Sequence, residues 1–549
     1  MLMITLEYCP QDPYGRYGVD HFLKKSGIPF KVKTPSASTL HMEYASEIAE
    51  DFLITVKGNE IKNSLCGKIR SGDVVIPLCE NPHDTGNSDR VIAFFESGEK
   101  RYPCITLHKN GIEIGIDIFR ETGFILSGHF DQIWNTLDET EKQQLASVPV
   151  IDALEEILLN SLREACYSLE IPLVFKSYWP DAKKFAVCLT HDVDEVKKTY
   201  QWITRPIKSV LSRDFQGLKA QGHSLLQKFR GNEPYYTFDD IIAIEKQFHA
   251  SSTFFFLKET GKPGLFSPRT WNLYGRNHNY NNRRVRAAIQ TVFDHGSEVA
   301  VHGSFYSFKD PGRIADETRD LENVLHRKVS GIRQHHLNLT IPDTWNYQSD
   351  AGLMYDSSLG YKDRLGFRWG TSFPFYPFNG KEQLRIQELP LIVMDVFLFS
   401  IKDPLAACYS MSDQVKRYHG LLTILWHPPV FNISEAPYAR EIYCKIIQRA
   451  QEQGALVTNA RNIIKWENNR DGKDLDCRWE GSSIIIEPSI PAHDYFISFD
   501  IPSGNGFRIM SGNAHEIDRE VVTSDPRFKR IYIRAHTDEK NRKIVVRKA

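Results

Sequence analysis

From Phe185 onward, short apolar runs alternate with longer segments of helical spacing. The runs are Phe185–Thr190, Ser252–Leu257, Glu298–His302, Gly331–His335, Leu389–Phe397, Leu421–His427 and Ala455–Asn459. Each has the length of a strand, and Arg283–Asp294 and Ala439–Glu452, among the segments between them, repeat as helices do. Such alternation predicts an α/β unit with a mainly parallel sheet, open or closed into a (β/α) barrel. Ahead of it, Asp73–Leu78 and Val91–Phe95 read as strands. Val150–Leu162 reads as a helix, its apolar positions 151, 154, 157, 158 and 162 falling on one face. Behind it, 476–481, 482–488, 494–501 and 530–536 read as short strands between turn signals. The expected organisation is an accessory α/β domain over 1–180, the β/α unit over 181–468 and a small β-rich domain over 469–549.

The polar residues of the central unit gather at one end of its strands. Asp192 and Asp194 close the first run in "LTHDVDEV", and His302, Arg333, His335, Asp395 and His427 stand late in others. In parallel β/α folds the C-terminal strand ends carry the site, because the strands form a rigid scaffold and the loops present side chains. Paired carboxylates bind a divalent cation or act as a base. A histidine after a buried strand is more often structural; beside a D-x-D in the same layer, metal ligation is the better reading. His335 and His336 are adjacent, so on a strand they point to opposite faces. His427 sits between an apolar strand and Pro428-Pro429, a rigid mount suited to an acid or base.

The chain's 549 residues exceed one ordinary core. A net charge of −1 excludes a general polyelectrolyte binder, so no nucleic-acid partner is expected. Nine scattered cysteines without C-x-x-C spacing argue against a disulfide framework or a thiolate zinc site and fit a reducing cytoplasm. No signal-peptide pattern or membrane-length apolar run is present, so the expectation is a soluble cytoplasmic protein. One stretch departs from the average: 196–230 holds eight Lys/Arg, one acid (Asp214) and interleaved apolar residues. Its plain reading is a solvated helical face. Its sharper reading is a contact with an anionic lipid surface at the inner membrane.

Over about 185–465 the chain resembles the polysaccharide deacetylase family, also called the NodB-homology or carbohydrate esterase 4 family. THDVD (190–194), STFFF (252–256), VAVHGS (299–304), GIRQHH (331–336) and ILWHPP (424–429) match its motifs in order. The subgroup with THDVD, HGS and RQH signatures is associated with surface-polysaccharide gene sets. The resemblance implies a distorted (β/α) barrel and a divalent metal, zinc or else cobalt, nickel or manganese. It implies deacetylation of an N-acetylated glycan or lipid-linked glycan precursor. Carried over, Asp192 is the base, oriented by Arg333; His427 is the acid, held by Asp395; Asp194 and His302 are metal ligands. The family's second metal histidine falls on Tyr306, and the first motif is D-V-D rather than two adjacent aspartates. Which aspartate is base and which is ligand therefore stays open, and His335 or His191 would complete the metal set. Two other readings remain: a D-x-D phosphotransferase or glycosyltransferase, which leaves His302, Arg333 and His427 idle, and a catalytically impaired carbohydrate-binding barrel.

Overall fold

The sheet that carries the candidate residues has nine strands, which we number β1 (Phe185–Val193), β2 (Thr253–Leu257), β3 (Glu298–Gly303), β4 (Gly331–Gln334), β5 (Tyr355–Asp356), β6 (Gln387–Glu388), β7 (Val393–Met394), β8 (Leu421–Leu425) and β9 (Ala455–Thr458). In this computed structural model residues 2–548 are described, except 11, 35–38, 49–51, 87–89, 260–278, 491–492, 505 and 539–542. The strand order is β6-β5-β4-β3-β2-β1-β8-β7, with β9 also on β1. All these pairings are parallel. β8 and β9 pair with the same β1 residues from opposite edges. β9 and β2 therefore share one edge of β1, each along half of it. The result is a curled parallel half-barrel in a mixed α/β protein, with no pairing of β6 to β7 among the described residues.

Every residue of β1, β2 and β3 is buried. That explains their nearly continuous apolar runs, since parallel strands are covered on both faces. The run Leu389–Phe397 behaves differently from the strand expected. Only Val393–Met394 pairs, and Asp395–Leu398 turns into a short helix. Pro390 has no N–H to give a ladder, which removes the first half of the run from the sheet.

Ahead of the half-barrel lies a mixed sheet, also of nine strands, drawn from residues 2–114. The long helix Val150–Ser168 ties this region to the half-barrel. Its buried Asp152 accepts hydrogen bonds from Thr371 Oγ1 (2.7 Å), Ser372 N (2.9 Å) and Ser372 Oγ (2.6 Å), and pairs with Lys25 at 2.7 Å. One apolar core runs through both regions.

Behind the half-barrel are two antiparallel four-stranded sheets. One takes a strand from far upstream: Leu173–Lys176 pairs with Asp494–Pro502. Between β1 and β2 the chain inserts a helical hairpin, α1 (Gln201–Leu211) and α2 (Phe215–Phe229), turning at Arg213, where φ is 56°.

Candidate active site

β1 delivers the first side chains. Thr190, Asp192 and Asp194 are two apart, so the strand repeat turns them to one face, Asp194 lying just past the strand end. His191 turns to the other face and is fully buried there. Its Nδ1 lies 2.6 Å from the Trp426 carbonyl and its Nε2 3.0 Å from Glu245 Oε1. Glu245 is itself held by Ser252 Oγ and Tyr443 Oη, each at 2.8 Å. With both ring nitrogens engaged behind the sheet, His191 stands outside the cluster and is not the alternative ligand considered above.

β3 and β4 supply the next groups, with His302 opposite Arg333 in register. His302 Nδ1 lies 2.8 Å from the Arg333 carbonyl. Donation of Nδ1–H to that carbonyl leaves the lone pair on Nε2. That nitrogen is 3.2 Å from Asp194 Oδ1 and 3.7 Å from Asp192 Oδ2. Burial disfavours a charged His302, but the carboxylates of Asp192 and Asp194 outweigh it and hold the ring above its ordinary pKa. Directly after β4 the chain turns, His336 taking a left-handed φ of 58°. Of the two adjacent histidines, His335 is buried with Nε2 3.6 Å from Asp194 Oδ1, while His336 stays exposed. Tyr306, where the resemblance would put a histidine, is 52% exposed and no part of the cluster.

Asp194, His302 and His335 form a group that could hold a metal ion, each offering one ligand atom and all of these within 4.8 Å of one another. Donors around a tetrahedral zinc, each about 2.0–2.2 Å from it, sit about 3.3 Å apart. The separations of 3.2 and 3.6 Å found here match that. One carboxylate and two imidazoles, one imidazole fixed through its far nitrogen, are a donor set suited to zinc and its neighbours.

Arg333 is wholly buried. Its Nη1 donates to Asp192 Oδ1 (2.9 Å) and Thr190 Oγ1 (2.8 Å), its Nε to the Ser357 carbonyl (2.7 Å) and its Nη2 to Ser357 Oγ (2.8 Å). The guanidinium also stacks 4.5 Å over Phe255. Asp192 is thus clamped through one oxygen, and its other oxygen is the one toward His302.

His427 lies two residues past β8. Asp395, expected late in a strand, instead opens the short helix after β7 and is completely buried. Its two oxygens grip His427 twice, at the backbone N and at ring Nδ1, each at 2.8 Å. Nε2 is left as the ring atom available to a substrate. Burial disfavours the imidazolium, yet Asp395, with smaller help from Asp194 and Asp192, pushes the ring up to about 9. His427 is therefore charged through neutral pH and loses its proton as pH rises through about 9. Asp395→Asn keeps the shape and removes the charge. It is expected to bring the His427 midpoint down to roughly 6.5 or below, followed by the ring proton resonances across a pH series. An unmoved midpoint would remove Asp395 as the cause.

Sequence reading had singled out Asp192, Asp194, His302, Arg333, His335, Asp395 and His427, and the structure brings them to one rim of the half-barrel. It overlooked Thr190, although that residue shares a strand face with Asp192, and Ser357, for which no motif exists. A cleft of about 970 Å³ between Lys197, Tyr236 and Asn432 is lined by none of them.

No protein-family model and no curated protein matches the sequence. Solved structures do match, over about half of the chain. A polysaccharide deacetylase-type protein of Mycobacterium smegmatis aligns at 17% identity and TM-score 0.35, covering 54% of this chain and 94% of that one. A peptidoglycan deacetylase of Bacillus subtilis aligns at 12% and 0.27, covering 54% and 96%. A carbohydrate esterase 4 family pseudoenzyme of Bacillus anthracis aligns at 14% and 0.26, covering 52% and 66%.

Proposed function

We propose that this protein is a metal-dependent hydrolase that removes acetyl groups from the amide nitrogen of an N-acetylated glycan or glycan precursor, in the manner of polysaccharide deacetylases. The observation that carries this reading is the joint placement of Asp194, His302 and His335 within ligand distance, beside an arginine-clamped Asp192 and an aspartate-held His427. The resemblance left the base and the ligand open between Asp192 and Asp194. The contacts favour Asp194 as ligand, because both histidines converge on its Oδ1, and Asp192 as base, because Arg333 holds it in place.

A divalent ion held by Asp194, His302 and His335 would polarise the acetyl carbonyl and the attacking water. The remaining work belongs to the chain's own residues. Asp192 takes a proton from the water as its oxygen attacks the carbonyl carbon. His427, entering as the imidazolium, gives its proton to the amide nitrogen as the C–N bond breaks. Acetate and a free amine leave. Arg333 keeps one oxygen of Asp192 occupied, so the other faces the reaction, and Asp395 keeps the His427 ring oriented and charged. Zinc suits the donor set, with cobalt, nickel and manganese as alternatives. The glycan is free or lipid-linked, and the place of action is the cytoplasmic side, in surface-polysaccharide assembly. A D-x-D phosphotransferase would give these histidines and Arg333 no role.

Acetate release from N-acetylated oligosaccharides by the zinc-loaded protein is the direct test. Asp192→Ala is expected to lower it by about 10²–10⁴, the ordinary contribution of a general base. Acetate release unchanged in Asp192→Ala would remove the assignment. Metal uptake without turnover on any acetylated sugar would favour an impaired, carbohydrate-binding role.

A further inference from the structure

The α1–α2 hairpin has its polarity reversed. An amphipathic helix on a protein ordinarily turns its apolar face inward. Here the only buried residues of the two helices are Gln201, Ser209 and Ser224. The apolar residues point out: Ile203, Ile207 and Val210 recur along one face of α1, and Leu211, Phe215 and Phe229 are 80%, 80% and 79% exposed. Large contiguous apolar exposure marks a contact surface. Its charge selects the partner. Lys208, Arg213 and Lys219 are exposed, with no acidic partner among the described residues. Asp214, the one acid of the stretch, is used to cap α2 through Gly217 N at 2.8 Å.

We propose that this hairpin is a peripheral membrane contact, which lays its apolar face into an anionic lipid surface with its lysines and arginine at the headgroups. Apolar residues on one face with basic residues beside them are the composition of an interfacial helix. A second copy of the chain is a poorer partner, because it would set the same positive rim against itself. No helix among the described residues is long and apolar enough to cross a membrane, so the contact lies on the surface.

The hairpin is also fastened to the segment that follows His427. Lys198, at its base, is buried with Nζ 2.6 Å from Glu435 Oε1, Ser224 Oγ donates to the same oxygen at 2.7 Å, and Arg205 pairs with the other oxygen. Glu435 belongs to the segment that follows His427. A lipid surface gripped by α1 and α2 therefore holds the rim carrying His427 close to that surface. The partner is independent of the reaction assigned to the site.

Flotation of the full chain with vesicles tests this. Wild type is expected to float with phosphatidylcholine vesicles containing about a third phosphatidylglycerol and to bind pure phosphatidylcholine at least about tenfold more weakly. Leu211→Asp/Phe215→Asp and, separately, Lys208→Glu/Lys219→Glu are expected to lower binding to the anionic vesicles at least about tenfold. Both pairs lie on the exposed surface, and an unchanged melting curve confirms each fold. Their metal uptake and acetate release on soluble sugars should match wild type, so failure here is distinguishable from failure of the deacetylase reading. Absence of wild-type binding, equal binding to neutral vesicles, or variants that bind like wild type would overturn the proposal. So would a dimer in lipid-free solution that Leu211→Asp/Phe215→Asp dissolves.

Discussion

His302→Ala is expected to leave a folded protein that no longer takes up one equivalent of zinc. His302 Nε2 is the donor nearest Asp194, at 3.2 Å, and its removal leaves one carboxylate and one imidazole. A fall in affinity of roughly a thousandfold corresponds to about 4 kcal/mol. The fold should survive, because the deletion costs one hydrogen bond to the Arg333 carbonyl and a small cavity, about 1–3 kcal/mol together. The clearest readout is thermal. Zinc at a thousand times its Kd stabilises a protein that binds it only when folded by about 4 kcal/mol. Wild type should melt higher with zinc than without, and His302→Ala should show no such difference. Calorimetric titration gives the stoichiometry directly. Retained uptake at wild-type affinity would place the ion elsewhere and sink the ligand assignment.

Arg333→Met is expected to cost about 3–5 kcal/mol, because it leaves the Asp192 carboxylate buried without its counter-charge. The guanidinium makes four hydrogen bonds, two of them to Ser357, and covers the ring of Phe255, so packing as well as charge is lost. Denaturant midpoints at neutral pH give the number. The double variant Arg333→Met/Asp192→Asn separates the causes. Removing the stranded charge should restore a substantial part of the stability, whereas acetate release should stay low in single and double variants alike. Additive losses in the cycle would mean that the pair is not coupled and that Arg333 does not position Asp192.

Much of this site was legible in the linear chain because it depends on local periodicity. The twofold repeat of a strand places Asp192 and Asp194 on one face, and it equally places His191 on the other. The strand-end positions of His302 and Arg333 follow from where the apolar runs stop. What the chain does not display is register. That His302 faces Arg333, and that the Arg333 carbonyl fixes the tautomer of His302, follow from the β3–β4 pairing alone. The choice of His335 over His191 depends on a turn with two left-handed residues, His336 and Leu337, at which no glycine stands in the sequence as a sign. Asp395 lies against His427, but from the start of a short helix and not from the strand expected. Pro390 was the available sign that its run would not pair throughout.

The strand Leu173–Lys176 carries a consequence for how the chain is made. Its partner, Asp494–Pro502, lies more than half the chain's length downstream. At ordinary rates of synthesis that partner emerges about half a minute later. In the interval the whole half-barrel is produced between two strands that must finally meet, and Leu173–Lys176 waits with an open edge, the feature by which nascent chains pair with the wrong neighbour. The antiparallel sheet is thus closed last, like a clasp, and shortening the chain from its C-terminal side would remove the clasp while leaving the exposed strand in place.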